Sequence, residues 1–224
     1  VSLVGAKTKD KTLFLSTDEK AINGVGKYFG FEGNSNIIAI HPWTSDPIKQ
    51  WPLHNFSELS KRIIRQEGEK VVIIGGKEES GRGIDFFGNL DSNIINLTGK
   101  TTLRQLAAIL KKCKLLVSGD SGPVHLASCV GTPAIAIFRS DIPAKNSIRW
   151  GPISKGSIVI ENNKLSDITV DQVFNKVREL LKKNGFPGDE TPIIKGSATK
   201  ALEATSVDDA GAKPIVELLD AVDN

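Results

Sequence analysis

Short, unbroken apolar runs alternate with stretches of helical period along most of this chain, and that alternation leaves few folds open. Ile37-Ile-Ala-Ile-His41, Lys70-Val-Val-Ile-Ile74, Lys114-Leu-Leu-Val117 and Thr132-Pro-Ala-Ile-Ala-Ile-Phe138 are apolar at consecutive positions, not at every second one. A strand with one wet face alternates; a strand covered on both faces does not. Shorter runs at Asn93–Asn96 and Ser157–Ile160 read as two further strands. Strands separated by helices are joined by crossovers, which makes the sheet parallel and the connections right-handed. The expected fold is α/β, a doubly wound Rossmann-like parallel sheet.

The helices carry their own punctuation. Asp18–Tyr28 reads as a helix capped by Ser16 or Thr17, with Gly30 just past its end. Asn55 and Glu58 stand at capping-box spacing before Phe56, Leu59 and Ile63 on one face, and Gly68 ends that helix. Lys77–Phe87 reads as a short helix or loop. Thr101 is the expected cap of a helix through Lys112, with Leu103, Leu106, Ala107 and Leu110 facing inward. The helix after the fourth strand begins with Pro123 at its first position and ends near Gly131. A last helix runs from Asp167 or Thr169 to about Lys183.

Loops at the C-terminal ends of parallel strands are where such sheets bind ligands. After the 37–41 strand come Thr44, Ser45 and Lys49. After the 70–74 strand come Gly75, Gly76, Glu78 and Glu79. After the 114–117 strand come Asp120, Ser121, Gly122 and His125. A lysine and a helix N-terminus suit a diphosphate, and a glutamate suits ribose hydroxyls. Asp120 and His125 suit further hydroxyls, as on a sugar. Each residue alone also has a structural role: Lys49 as a solvated charge, Glu78 as a helix cap, Thr44 within a turn. Together they point to a nucleotide-sugar site.

Other chemistries lack their motifs. There is no Gly-x-Gly-x-x-Gly after the first strand, no Walker-type phosphate loop and no Gly-x-Ser-x-Gly elbow. His41, His54 and His125 show no metal-ligand spacing, so neither a metal nor a cofactor is expected. Lysines are scattered and aromatics make up only 6%, which argues against a nucleic-acid surface. No apolar run reaches membrane-spanning length and no signal peptide is visible. Cys113 and Cys129 sit in apolar contexts, as core thiols of a reducing compartment, so a cytoplasmic location is expected. Methionine is absent, at position 1 as elsewhere, so the chain reads as a fragment, a processed product or an engineered one. Charge is uneven: residues 184–224 hold three lysines against eight acids, while the whole chain is +3. The basic body suits an anionic ligand.

The segments His41-Pro, Ile48-Lys-Gln-Trp-Pro52, Val71-Val-Ile-Ile-Gly-Gly76, Leu97-Thr-Gly99 and Ser118-Gly-Asp-Ser-Gly-Pro-Val-His-Leu-Ala127 resemble the family 9 glycosyltransferases, the ADP-heptose:lipopolysaccharide heptosyltransferases. The resemblance covers about residues 12–180 and only the C-terminal, donor-binding half of that family's two-domain GT-B fold. It implies ADP or an ADP-sugar as partner. It implies Lys49 and Thr44 at the diphosphate, Glu78 or Glu79 at the ribose, Ser121 and Gly122 at phosphate, and Asp120 and His125 at the sugar. Trp43 departs from the family, which has a small residue there. The family's other half holds the acceptor and supplies the base, so no catalytic residue is assigned here and no sugar transfer is expected from this half alone.

Val177–Glu203 and Lys213–Asn224 resemble the last part of the elongation factor Tu GTPase domain, where a strand (here Ile193–Lys195) and a helix (Pro214–Val222) are implied. The GTPase phosphate loop and Asn-Lys-x-Asp are missing, so GTP binding is not expected. Two families meeting within Val170–Lys183 imply an engineered chimera: a donor-binding domain over residues 1–183 and a grafted strand–helix extension over 184–224 that completes it. Three readings stand: a scaffold without activity, a donor-binding module, and a natural structural or partner-binding protein. An active transferase fragment is the enzymatic alternative.

Overall fold

The computed structural model describes residues 15–17, 19–30, 36–87, 91–143, 146–184 and 213. The chain divides into two units, Val1–Asn184 and Gly185–Asn224. The sheet and the helices packed on it belong to the first. The strand expected at 193–195 and the helix expected at 214–222 lie outside the described residues.

Among the described residues six strands form one parallel sheet in the order β3-β2-β1-β4-β5-β6. They are β1 (Ile37–His41), β2 (Lys70–Ile73), β3 (Ile94–Asn96), β4 (Leu115–Gly119), β5 (Ala134–Arg139) and β6 (Ile158–Asn162). The helices are α1 (Glu19–Phe29), α2 (Leu53–Glu67), α3 (Ser80–Phe87), α4 (Leu103–Lys112), α5 (Gly122–Val130), α6 (Ser147–Trp150) and α7 (Val170–Lys183). The doubly wound α/β expectation is therefore met. α1, α4 and α5 pack side by side on one face, and α2, α3 and α7 on the other. This double cover is why β1 and β4 are buried along their whole lengths. The outer strand β6 instead alternates between half-buried and exposed residues.

Three helix starts differ from expectation. α2 begins at Leu53 after Pro52, with no side-chain cap, so Asn55 lies inside the first turn and the Asn55/Glu58 box does not form. Pro52 fixes the backbone there and starts the helix earlier. α4 is capped by Thr102, not Thr101, because Gln105 completes a reciprocal box with it. Leu103 then becomes the first helical residue and is 71% exposed, although the helical pattern puts it inside. Pro123 occupies the second position of α5, after Gly122, where its missing N–H is still one that the helix does not use. α7 starts at Val170 under a Thr169/Gln172 box.

The N-terminal edge of the sheet is closed by an ion pair. Lys114, just before β4, donates from Nζ to Glu69 Oε1 at 2.6 Å, reaching across the start of β1 to the chain entering β2. Both side chains are 6% exposed. Burial pushes the Glu69 carboxyl up, and the Lys114 ammonium opposes that shift. Breaking a buried pair strands a charge, whereas replacing both partners by apolar groups does not. Lys114→Met, which takes the cation from the buried Glu69 carboxylate, is therefore expected to cost about 3–5 kcal/mol in urea unfolding, and Glu69→Leu with Lys114→Met about 1 kcal/mol or less. Equal losses would contradict this account.

Candidate functional site

Strand order reverses between β1 and β4, so the loops leaving these two neighbours diverge and open a crevice at the C-terminal edge. The first wall is the loop His41–Pro52. Asp46 caps a single 3₁₀ turn, Pro47–Lys49, by accepting from Ile48 N at 3.2 Å, and Thr44 Oγ1 accepts from Asp46 N at 3.2 Å. Gln50 Nε2 donates to Pro42 O at 2.6 Å and to Trp51 O at 2.7 Å. Trp51 is fully buried, stands edge-on to Phe56, and donates from Nε1 to Ile168 O at 2.9 Å. That anchor fixes the loop and hence the place of Lys49 two residues earlier.

The second wall is β4 and the start of α5. Ser121 is the N-cap residue, extended in backbone, and its hydroxyl makes no cap bond. A Cβ at Gly122 would meet nothing within 4 Å, so the helix start opens outward. The two walls touch twice. Lower down, His41 Nδ1 lies 3.3 Å from Ser118 Oγ. At the mouth, Lys49 Nζ pairs with Asp120 Oδ2, their side chains 16% and 11% exposed.

The cleft beside this pair has a volume of about 380 Å³ and is lined by His41, Thr44, Ser45, Glu79, Thr101 and Ser121 among others. Of the residues proposed from sequence, Thr44, Ser45 and Ser121 line it, and Lys49 and Asp120 bridge the crevice between the same two loops. Glu79 lines the cleft while Glu78 is exposed outside it. His125 lies one turn along α5, edge-on to Trp150 with ring centroids 6.3 Å apart.

Sequence reasoning points to three loops and misses a fourth, the one after β3. Thr101, Thr102, Leu103 and Leu106 bring the start of α4 to the cleft. The signal is present, since β3 ends at the same edge as the others. Trp43, in sequence only a departure from the family, has a structural place. It is 1% exposed and lies so close over the glycine turn that a Cβ on Gly75 would fall 2.4 Å from its Nε1. The Arg82 guanidinium sits 5.0 Å from its ring and Phe87 meets it edge-on. Its bulk thus goes into the wall on the β2 side. Among the described residues no group of three or more His, Cys, Asp or Glu is placed to hold a metal ion, and no helix is long and apolar enough to cross a membrane.

The profile of glycosyltransferase family 9 (heptosyltransferase) matches residues 6–176. Lipopolysaccharide heptosyltransferase 2 of Salmonella typhimurium is 28% identical over 160 residues, 62% of this chain and 44% of that protein. Its Escherichia coli K12 counterpart is 27% identical over 156 residues, 60% and 43%. The chain thus spans less than half the length of these curated relatives. Among solved structures, E. coli ADP-heptose lipopolysaccharide heptosyltransferase II superposes with a TM-score of 0.68 at 26% identity, over 77% of this chain and 54% of that one. A family 9 glycosyltransferase from Veillonella parvula gives 0.71 at 23%, over 81% and 57%, a likeness of fold. An E. coli heptosyltransferase solved with ADP gives 0.59 at 20%, over 78% and 52%, again of fold.

His41 at the floor of the cleft is held neutral: burial lowers its pKa to about 4. The unfolded chain binds a proton near pH 6.5 and the folded one does not, so stability is full above 6.5 and is lost as pH falls toward 4. Between pH 7 and 4.5 this group removes on the order of 2–3 kcal/mol. Denaturant unfolding at the two pH values is expected to show that loss in the wild type and to lack it in His41→Gln. The same pH dependence in both would contradict the assignment.

Proposed function

Since the chain belongs to glycosyltransferase family 9 over residues 6–176, we propose that its first unit is a donor-binding domain that takes ADP or an ADP-sugar at the β1/β4 crevice. The observation that carries this is the Lys49–Asp120 pair, an ammonium fixed by a buried tryptophan anchor and set beside the start of α5. A diphosphate there gains the Lys49 charge and the Gly122 N–H at the start of α5, where Pro123 has no N–H and Val124 N already donates to Ser121 O. Lys49 would then lie between two anions, Asp120 and phosphate, and keep them apart. Thr44, Ser45 and Ser121 offer hydroxyls and Gly122 its backbone N–H. Glu79, and not Glu78, faces the ribose position. Asp120 and His125 are left for hydroxyls of the sugar.

The reading stops at binding. Transfer needs a base on the acceptor hydroxyl and an acceptor held near the anomeric carbon. By the resemblance, both belong to the family's other half, and this chain matches 44% of its Salmonella relative. The same proposal includes the tail: we read residues 177–224 as derived from an elongation factor Tu GTPase domain, joined by design within Val170–Lys183, and as bringing no GTP site. We read the compartment as cytoplasmic from two free thiols, Cys113 and Cys129.

Calorimetric titration with ADP, UDP and GDP tests this. ADP is expected to bind and GDP not to. Lys49→Ala is expected to weaken ADP by about tenfold or more, the loss of a charge-assisted phosphate contact. Unchanged affinity in that variant would remove the site, and a preference for GDP would overturn the reading of the tail.

A further inference from the structure

One aromatic side chain near the crevice is not used by the donor-site reading. The chain has three tryptophans. Trp43 and Trp51 are 1% and 0% exposed, while Trp150 is 43% exposed. Its neighbours Ile148 and Ile153 are exposed as well, at 93% and 54%.

The position of Trp150 is tied to α5. Ser121, His125 and Ser128 recur at a spacing of four and three, so they share one face of that helix. Side chains on a helix lean toward its N-terminus, which brings His125 over the turn that begins at Ser121 in the cleft. The segment carrying Trp150 is fastened to the same face. Ile153 N and Ser154 N donate to Ser128 Oγ at 3.2 and 3.4 Å. The short helix α6 is capped by Asn146 and closed by Gly151 N donating to Ser147 O at 2.7 Å. A Cβ at Gly151 would lie 2.4 Å from that same oxygen, so only glycine allows the segment to close this tightly. The indole then rests against the His125 ring at 67° between planes. The Arg149 guanidinium lies 5.2 Å from the indole centroid.

We propose that Trp150 is a positioning residue for the donor sugar, the platform on which the pyranose ring lies. The proposal rests on the donor-site reading above. A diphosphate at Lys49 and the α5 start directs its sugar to the next features along that helix, which are His125 and then Trp150. A pyranose has a face of C–H groups and a rim of hydroxyls. A half-exposed indole supplies the apolar, polarisable surface for the face, and His125 and Asp120 supply partners for the rim. Sites for small polar ligands combine an aromatic lining with a few placed polar groups in this way. The contribution expected of one such ring is modest, about three- to tenfold in affinity.

Because the other two tryptophans are buried, acrylamide quenching of the intact chain reports Trp150. ADP-heptose is expected to shield the indole from quencher and ADP alone is not. Equal shielding by both ligands, or none from ADP-heptose while ADP binds, overturns the platform. Calorimetry on Trp150→Ala and Trp150→Phe supplies the second readout. Trp150→Ala is expected to leave ADP affinity unchanged and to weaken ADP-heptose about three- to tenfold, with Trp150→Phe restoring most of it. Equal loss for both ligands would mean that Trp150 only props up α5, and no loss for either would mean that it does not touch the donor; each overturns the proposal. A wild-type chain that binds neither ADP nor ADP-heptose removes the donor-site reading itself, and this inference with it.

Discussion

Every strand of the sheet runs the same way and both of its faces are covered, so chemistry has only the two edges to occupy. Within the central strands β1, β2, β4 and β5, neighbouring strands take up the ladder hydrogen bonds and nearly all side chains are buried and apolar. The loops are different, because all strands end at one rim and all begin at the other. The reversal of order between β1 and β4 then decides where on the rim a ligand fits. It sends the chain away from that gap on both sides, which leaves the gap open.

The two rims carry the same chemistry to different ends. Each has a lysine–carboxylate pair across the centre of the sheet, Glu69 with Lys114 at one and Asp120 with Lys49 at the other. The first is sealed, and its worth lies in not leaving a charge stranded. The second lies between loops whose neighbouring cleft is lined by Gly75, Gly76 and Ser121, and there the proposed anion would meet a cation already in place. On that proposal the positive charge is held in place before binding by the loop, which Trp51 pins to Ile168 from within the core. His41 completes the floor as a neutral ring, so it adds no charge of its own at physiological pH.

Much of this was legible in the sequence. Ile37–His41, Lys70–Ile74 and the 114–117 run announced a covered parallel sheet because no residue in them alternates, and Gly68 and Gly131 marked helix ends through their left-handed backbone. What was not legible depended on contacts far apart in sequence or on a choice between adjacent residues. Thr101 and Thr102 are equivalent as caps until Gln105 selects one. Glu78 and Glu79 differ only by where a single turn points them. Leu103 fits a helical stripe but stands at the helix's first residue, where the stripe faces the cleft instead of the core. Trp43 and Trp51 sit in a polar, proline-rich loop that reads as surface, and only the folded chain shows both indoles buried.

On the proposed function, loops from β1, β2, β3 and β4 meet one nucleotide at one rim. Amide chemical-shift mapping of the isotope-labelled chain during titration with ADP tests it most directly. The account predicts shifts confined to residues 41–50, 75–79, 101–103 and 119–125, with Glu69, Lys114 and the stretch 128–131 unmoved. Shifts gathered at the opposite rim, or spread over β6 and α7 with the 119–125 amides unchanged, would contradict it.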